Sequence, residues 1–126
     1  MVKKFFIISS LKNTEINNRI CNFLESKGHK VHMAFRDTPQ DSDEIMYKIN
    51  IEAIRNADII IANTIQDFPL TKNWAFELGY AMALGKKIIC IGKINEEHTE
   101  MITTPLNDNI VSSIEEFEKI FDKMVR

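Results

Sequence analysis

The chain has 126 residues, 44% of them hydrophobic and 27% charged, which suits one soluble globular domain over 1–126 built on a single core. A formal net charge of −2 supplies no global positive field, which argues against a nucleic acid polymer as partner but leaves room for a small anion in a local pocket. Cys21 and Cys90 sit in apolar runs outside any metal-ligand spacing, and no stretch could span a bilayer. A cytoplasmic protein without metal or cofactor is therefore expected.

Short β-rich runs alternate with helical periodicity, the pattern of βαβ units on a parallel sheet. The first strand is predicted over Lys4 to Ser9, its apolar run too short for a signal peptide. A helix follows from near Asn13 or Thr14, with Ile16, Ile20, Phe23 and Leu24 on one face and Gly28 just past its end. Lys30 to Phe35 reads as the second strand, and RDTPQDS as a polar loop. The next helix, Asp43 to Asn56, has an acidic first turn and an apolar arc of Ile45, Met46, Ile49, Ala53 and Ile54, with Ile51 off that arc. Asp58 to Ala62 makes a buried central strand. After a loop over Asn63 to Asn73, the helix from Trp74 is stopped by Gly85; it is apolar nearly all round and reads as a buried crossover. KIICIG is the fourth strand, and Lys93 to Asp108 a long polar connection of the kind often used as a lid or interface. NIVS gives a short fifth strand. The closing helix carries two overlapping capping boxes, Ser112 with Glu115 and Ser113 with Glu116.

An open parallel sheet binds its ligand outside the carboxyl ends of its strands. That edge collects Ser9, Ser10 and Asn13 after the first strand, Arg36 and Asp37 after the second, the loop after the third, and the first turn of the helix that bears Glu77. A lone carboxylate in an apolar helix needs a reason, because desolvating it is costly. Two readings stand: the helix N-terminus keeps Glu77 ionised and nucleophilic, or Glu77 merely caps the helix or pairs with Lys72. Asn50, near the middle of an apolar arc, must likewise find a partner in a ligand or a neighbouring loop. Ser9, Ser10 and Asn13 either cradle an anion or cap a helix. The chain contains neither G-x-G-x-x-G nor a P-loop, and His29, His32 and His98 are dispersed, so a Rossmann dinucleotide site, a nucleoside triphosphate site and a catalytic triad have no support.

The run NADIIIAN…TKNWAFELGYAMALGKKII resembles the signature of the nucleoside 2-deoxyribosyltransferase family and its relatives, the 2′-deoxynucleoside 5′-phosphate N-hydrolases; the specific part covers Asn50 to Ile89. The fold expected is α/β, a flavodoxin-like three-layer sandwich whose five-stranded parallel sheet has the order 2-1-3-4-5. The resemblance implies cleavage or transfer at the N-glycosidic bond of a (deoxy)nucleoside or its 5′-monophosphate, with Glu77 matching the nucleophile that attacks C1′ and holds the sugar as a glycosyl ester. It also implies that Tyr80 walls the pocket and that Asn109, beside Asp108, matches a pair that approaches a neighbouring subunit's site. Thr71 stands where the transferases tend to have aspartate and the phosphate-handling hydrolases serine, and a neutral hydroxyl tolerates a 5′-phosphate better than a carboxylate does.

A second departure matters. The family usually has, eight residues before Asp58, an aspartate that contacts and helps protonate the base; this chain has Asn50, which orients a base but has no proton to give. That leaves an altered base specificity, a protonating group supplied elsewhere, with Asp37 and Asp67 as candidates, or binding without turnover; Arg36 is a candidate for contact with substrate. Two alternatives follow: a nucleotide-binding or sensing module on the same scaffold without catalysis, and a TIR-like domain that cleaves a nicotinamide dinucleotide with the same glutamate. The expected partners are a small nucleoside or nucleotide and, from Ile51 and the family's habit, further copies in a homodimer or higher homo-oligomer.

Overall fold

A computed structural model describes residues 1–10, 14–65, 72–92 and 109–125. Its strands are β1 (Lys4–Ile8), β2 (Lys30–Met33), β3 (Ile59–Asn63), β4 (Lys87–Ile91) and β5 (Ile110–Val111). They form one five-stranded sheet in the order β2-β1-β3-β4-β5, with every neighbouring pair parallel. This is the expected flavodoxin-like order. The helices are α1 (Thr14–Ser26), α2 (Ala34–Asp37), α3 (Asp43–Asn56), α4 (Lys72–Ala83) and α5 (Ile114–Met124).

The strands read as unbroken apolar runs because helices cover both faces of the sheet. On one side Phe5, Ile7, Ile59, Ile61, Ile89 and Ile91 pack with Ile20 and Leu24 of α1 and Phe117 and Phe121 of α5. On the other, Phe6, Ile8, Ile60 and Cys90 pack with Ile54 of α3 and Trp74, Leu78 and Ala81 of α4. The strand order reverses between β1 and β3, and in open parallel sheets the ligand crevice lies at such a switch point, outside the carboxyl ends of the strands.

Several sequence expectations are corrected. The second strand ends at Met33, two residues early, because the Asp37 carboxylate accepts the Met33 N–H at 2.9 Å and turns the chain into the single-turn helix α2. The apolar arc of α3 is rotated: Ile45 is 44% exposed and Ile51 only 8%, so Ile51 belongs to the interior and lends no support to self-association. Nor is α4 apolar on a buried surface all round, since Phe76 is half exposed and Leu84, just past its end, nearly so.

The helix α4 begins at Lys72, which makes Glu77 its sixth residue, beyond the first turn. At α5 only one of the two capping boxes has its N-cap: Ser113 Oγ accepts the Glu116 N–H at 3.1 Å. The Glu116 carboxylate reaches back to Ser112, whose N–H and Oγ donate to it at 2.8 and 2.6 Å, while Glu115 pairs with Arg19. The expected connection over 93–108, with Asp108, lies outside the described residues, as do Asn13, Asp67 and Thr71.

Candidate active site

At the carboxyl ends of β1 and β3 a small polar network runs from the half-buried Ser9 and Ser10 to the buried Asn17 and Asn63. Asn63 Nδ2 donates to Ser9 Oγ at 3.0 Å and to Asn17 Oδ1 at 3.1 Å, and Asn17 Nδ2 donates to the Ser10 carbonyl at 3.0 Å. Asn17 and Asn63 are both buried, so each bond offsets a desolvation cost that would otherwise stand. The sequence marked Ser9 and Ser10 but not their partners. Asn17 could have been found, since it shares a helical face with Ile20, Cys21 and Leu24.

Next along the edge, Thr64 donates both its N–H and its hydroxyl to the Ile91 carbonyl, each at 2.9 Å. Gly92 follows with φ +96°, and a Cβ there would stand 2.7 Å from Thr64 Oγ1. Only glycine fits that turn without strain.

Glu77 is half-buried on α4. Among the described residues no cation or hydrogen-bond donor meets its carboxylate, so the pairing with Lys72 that one of the two readings offered is absent. Sitting in the second turn, it also lies beyond the reach of the helix-end N–H groups, and desolvation goes uncompensated. The result is the opposite of a carboxylate held ionised: burial pushes its pKa up to about 7.

Contacts between α3 and α4 fix their register. The rings of Tyr47 and Phe76 lie 6.1 Å apart, and Arg55 Nε donates to Tyr80 Oη at 2.7 Å. Asn50 and Glu77 both fall between these two contacts along the helix pair. Asn50 is half-buried, and its Oδ1 accepts the Thr38 hydroxyl at 2.7 Å. Thr38 Oγ1 also lies 2.8 Å from His32 Nε2.

Other predicted residues are placed less directly. Tyr80 turns its hydroxyl to Arg55 and stacks on Phe76 at 6.4 Å. Arg36 donates to both Glu25 and Asp37 carboxylates and to the Val31 carbonyl, so its fork is occupied by the protein's own groups. Asn109 directly precedes β5, beside the carboxyl half of β4. Among the described residues no group of three or more His, Cys, Asp or Glu is placed to hold a metal ion, and no described helix is long and apolar enough to cross a membrane.

A family model described as nucleoside 2-deoxyribosyltransferase matches residues 7–124. The chain belongs to the nucleoside 2-deoxyribosyltransferase family. No curated protein matches it by sequence. Among solved structures, a 2-deoxyribosyltransferase from Bacillus psychrosaccharolyticus superposes with a TM-score of 0.73 at 21% identity, over 91% of this chain and 90% of that one. The CMP N-glycosidase of Clostridium botulinum gives 0.69 at 24% identity, over 95% and 98%. A 2-deoxyribosyltransferase from Leishmania mexicana gives 0.61 at 24% identity, over 79% and 70%. At these identities the likeness bears on the fold, while membership rests on the family match.

Proposed function

We propose that this family member cleaves the N-glycosidic bond of a nucleoside or nucleoside 5′-monophosphate through Glu77. What supports this is the carboxyl itself: half-buried, without an ion-pair partner among the described residues, and on the helix that pairs with the one bearing Asn50. A group that titrates near neutrality in a crevice has the properties of a working nucleophile. In the first step a Glu77 oxygen bonds to C1′, the C1′–N bond breaks, and its electron pair leaves with the base. Water or a second base then opens the glycosyl ester and returns the carboxylate. Two inversions give net retention, as in retaining glycosidases.

Asn50 orients the base but gives it no proton, so the departing base takes one from solvent or another acid. Ser9 and Ser10, at the carboxyl end of β1, receive the sugar and its 5′ substituent, and from the sequence Asn13 and the neutral Thr71, which tolerates a phosphate better than a carboxylate does, are assigned to the same role. The similar structures include both a transferase and a nucleotide hydrolase. A second reading, favoured by Asn50 where an acid is expected, is nucleotide binding without turnover.

The deciding experiment is a base-release screen over deoxy- and ribonucleosides, with and without 5′-phosphate, and with a free base as acceptor. We expect release that vanishes in Glu77→Ala. Turnover unaffected by that change refutes the proposal, and saturable nucleotide binding with no release over hours favours the second reading.

A further inference from the structure

Resting on the N-glycosidase reading above, we propose that His32 and Thr38 are positioning residues that fix the direction of the Asn50 amide. Its Nδ2 hydrogens then face the crevice, and the site takes nucleobases presenting a carbonyl in preference to those presenting an amino group at the same place.

A threonine hydroxyl has one hydrogen to give. Thr38 gives it to Asn50 Oδ1 at 2.7 Å, so His32 Nε2, 2.8 Å from the same oxygen, must be the donor to Thr38. The chain therefore runs His32 Nε2–H to Thr38 Oγ1–H to Asn50 Oδ1, and His32 carries its proton on Nε2. Each member is held in place. His32 stacks on Phe6 with centroids 5.5 Å apart and planes 12° from parallel, and desolvation lowers its pKa, which favours the neutral ring. Thr38 is 3% exposed, and its backbone N–H donates to the Ala34 carbonyl at 3.0 Å. Turning the Asn50 amide over would set its N–H against the Thr38 hydroxyl hydrogen unless the whole chain reversed. The carbonyl is thus drawn back into the protein, and among the described residues Nδ2 has no acceptor.

A base leaving with the bonding electrons gathers negative charge on its carbonyl oxygens and ring nitrogens, and a fixed N–H aimed there stabilises it. An amino group in the same place sets donor against donor. Two isosteric pairs isolate this difference: hypoxanthine against adenine and uracil against cytosine, each exchanging a carbonyl for an amino group.

The test compares kcat/KM for base release from the 5′-monophosphates of both pairs by the unaltered protein, Thr38→Val and Thr38→Ser. We expect the unaltered protein to favour the carbonyl member about tenfold. Thr38→Val should lose that preference through the carbonyl substrate alone, and Thr38→Ser should restore it. An amino preference in the unaltered protein, or an equal loss on both members in Thr38→Val, overturns the proposal. Nitrogen-15 NMR of the unaltered protein reads the His32 tautomer without turnover. A proton on Nε2 supports the chain direction, and one on Nδ1 overturns it. If no nucleotide releases its base, the N-glycosidase reading fails by itself. Competition binding of the same four monophosphates then decides, with equal or tighter binding of the amino members overturning the inference.

Discussion

Replacing Glu77 with glutamine should make the protein more stable while abolishing base release, and the gain should depend on pH. Burial raises the carboxyl from its ordinary 4.5 to about 7. Below about pH 4.5 the group is protonated whether the chain is folded or not, and the acid and the amide are nearly equivalent. As pH rises from 4.5 towards 7 the unfolded chain ionises first, so the native acid loses stability progressively; above about 7 both states are ionised and the deficit is constant. At about 1.4 kcal/mol for each tenfold change in proton affinity, that deficit is about 3 kcal/mol, an upper value because the neutral amide has its own desolvation cost. Urea denaturation of both proteins at pH 4, 6 and 8 measures it. The curves should nearly coincide at pH 4, and the variant midpoint should move ahead by pH 8. A variant that is less stable at pH 8, or one whose advantage is the same at every pH, would refute the claim that the carboxylate is uncompensated.

Because the ionised form is the nucleophile, kcat/KM should climb with pH through a midpoint near 7, the value to which desolvation raises Glu77. A flat steady-state profile from acid to neutral pH contradicts that role. Gly92→Ala forces a methyl to within 2.7 Å of Thr64 Oγ1 at φ +96°, and should reduce unfolding free energy by about 2 kcal/mol in urea titrations. Lys86 Nζ donates to the Arg55 and Ala57 carbonyls at 2.6 and 2.8 Å, closing the end of α3; Lys86→Met should lower stability by about 1 kcal/mol by the same measurement.

The strands were legible because two-sided burial writes itself as runs such as DIIIA, their order came from the family resemblance, and the start of α3 showed in its acidic first turn, just after Ser42, whose side chain accepts the Ile45 N–H. Where the sequence misled, a tertiary partner decided the outcome. Period alone could not tell that Ile51 faces inward and Ile45 outward, since the two stand at opposite edges of the arc, Ile45 at one end of it and Ile51 just beyond Ile54 at the other. Nothing local announced that Asp37 would bond back to Met33 and end β2. The oddity of Glu77 was visible as a charge in an apolar helix, but its electrostatic state was misjudged because the helix starts two residues earlier than its apolar pattern. Asn50 was visible for the same reason. Its link through Thr38 to His32 was not, because hydrogen bonds among three separate elements leave no spacing to read.

The chain contains one tryptophan, Trp74, and it is 3% exposed on the same helix as Glu77, about one turn ahead of it. Its ultraviolet emission therefore originates in the core between α4 and the sheet, about one turn from Glu77. Ligand titrations can be followed by intrinsic fluorescence with no attached dye, and any divergence between that signal and circular dichroism during unfolding would show α4 parting from the sheet before the remainder of the protein.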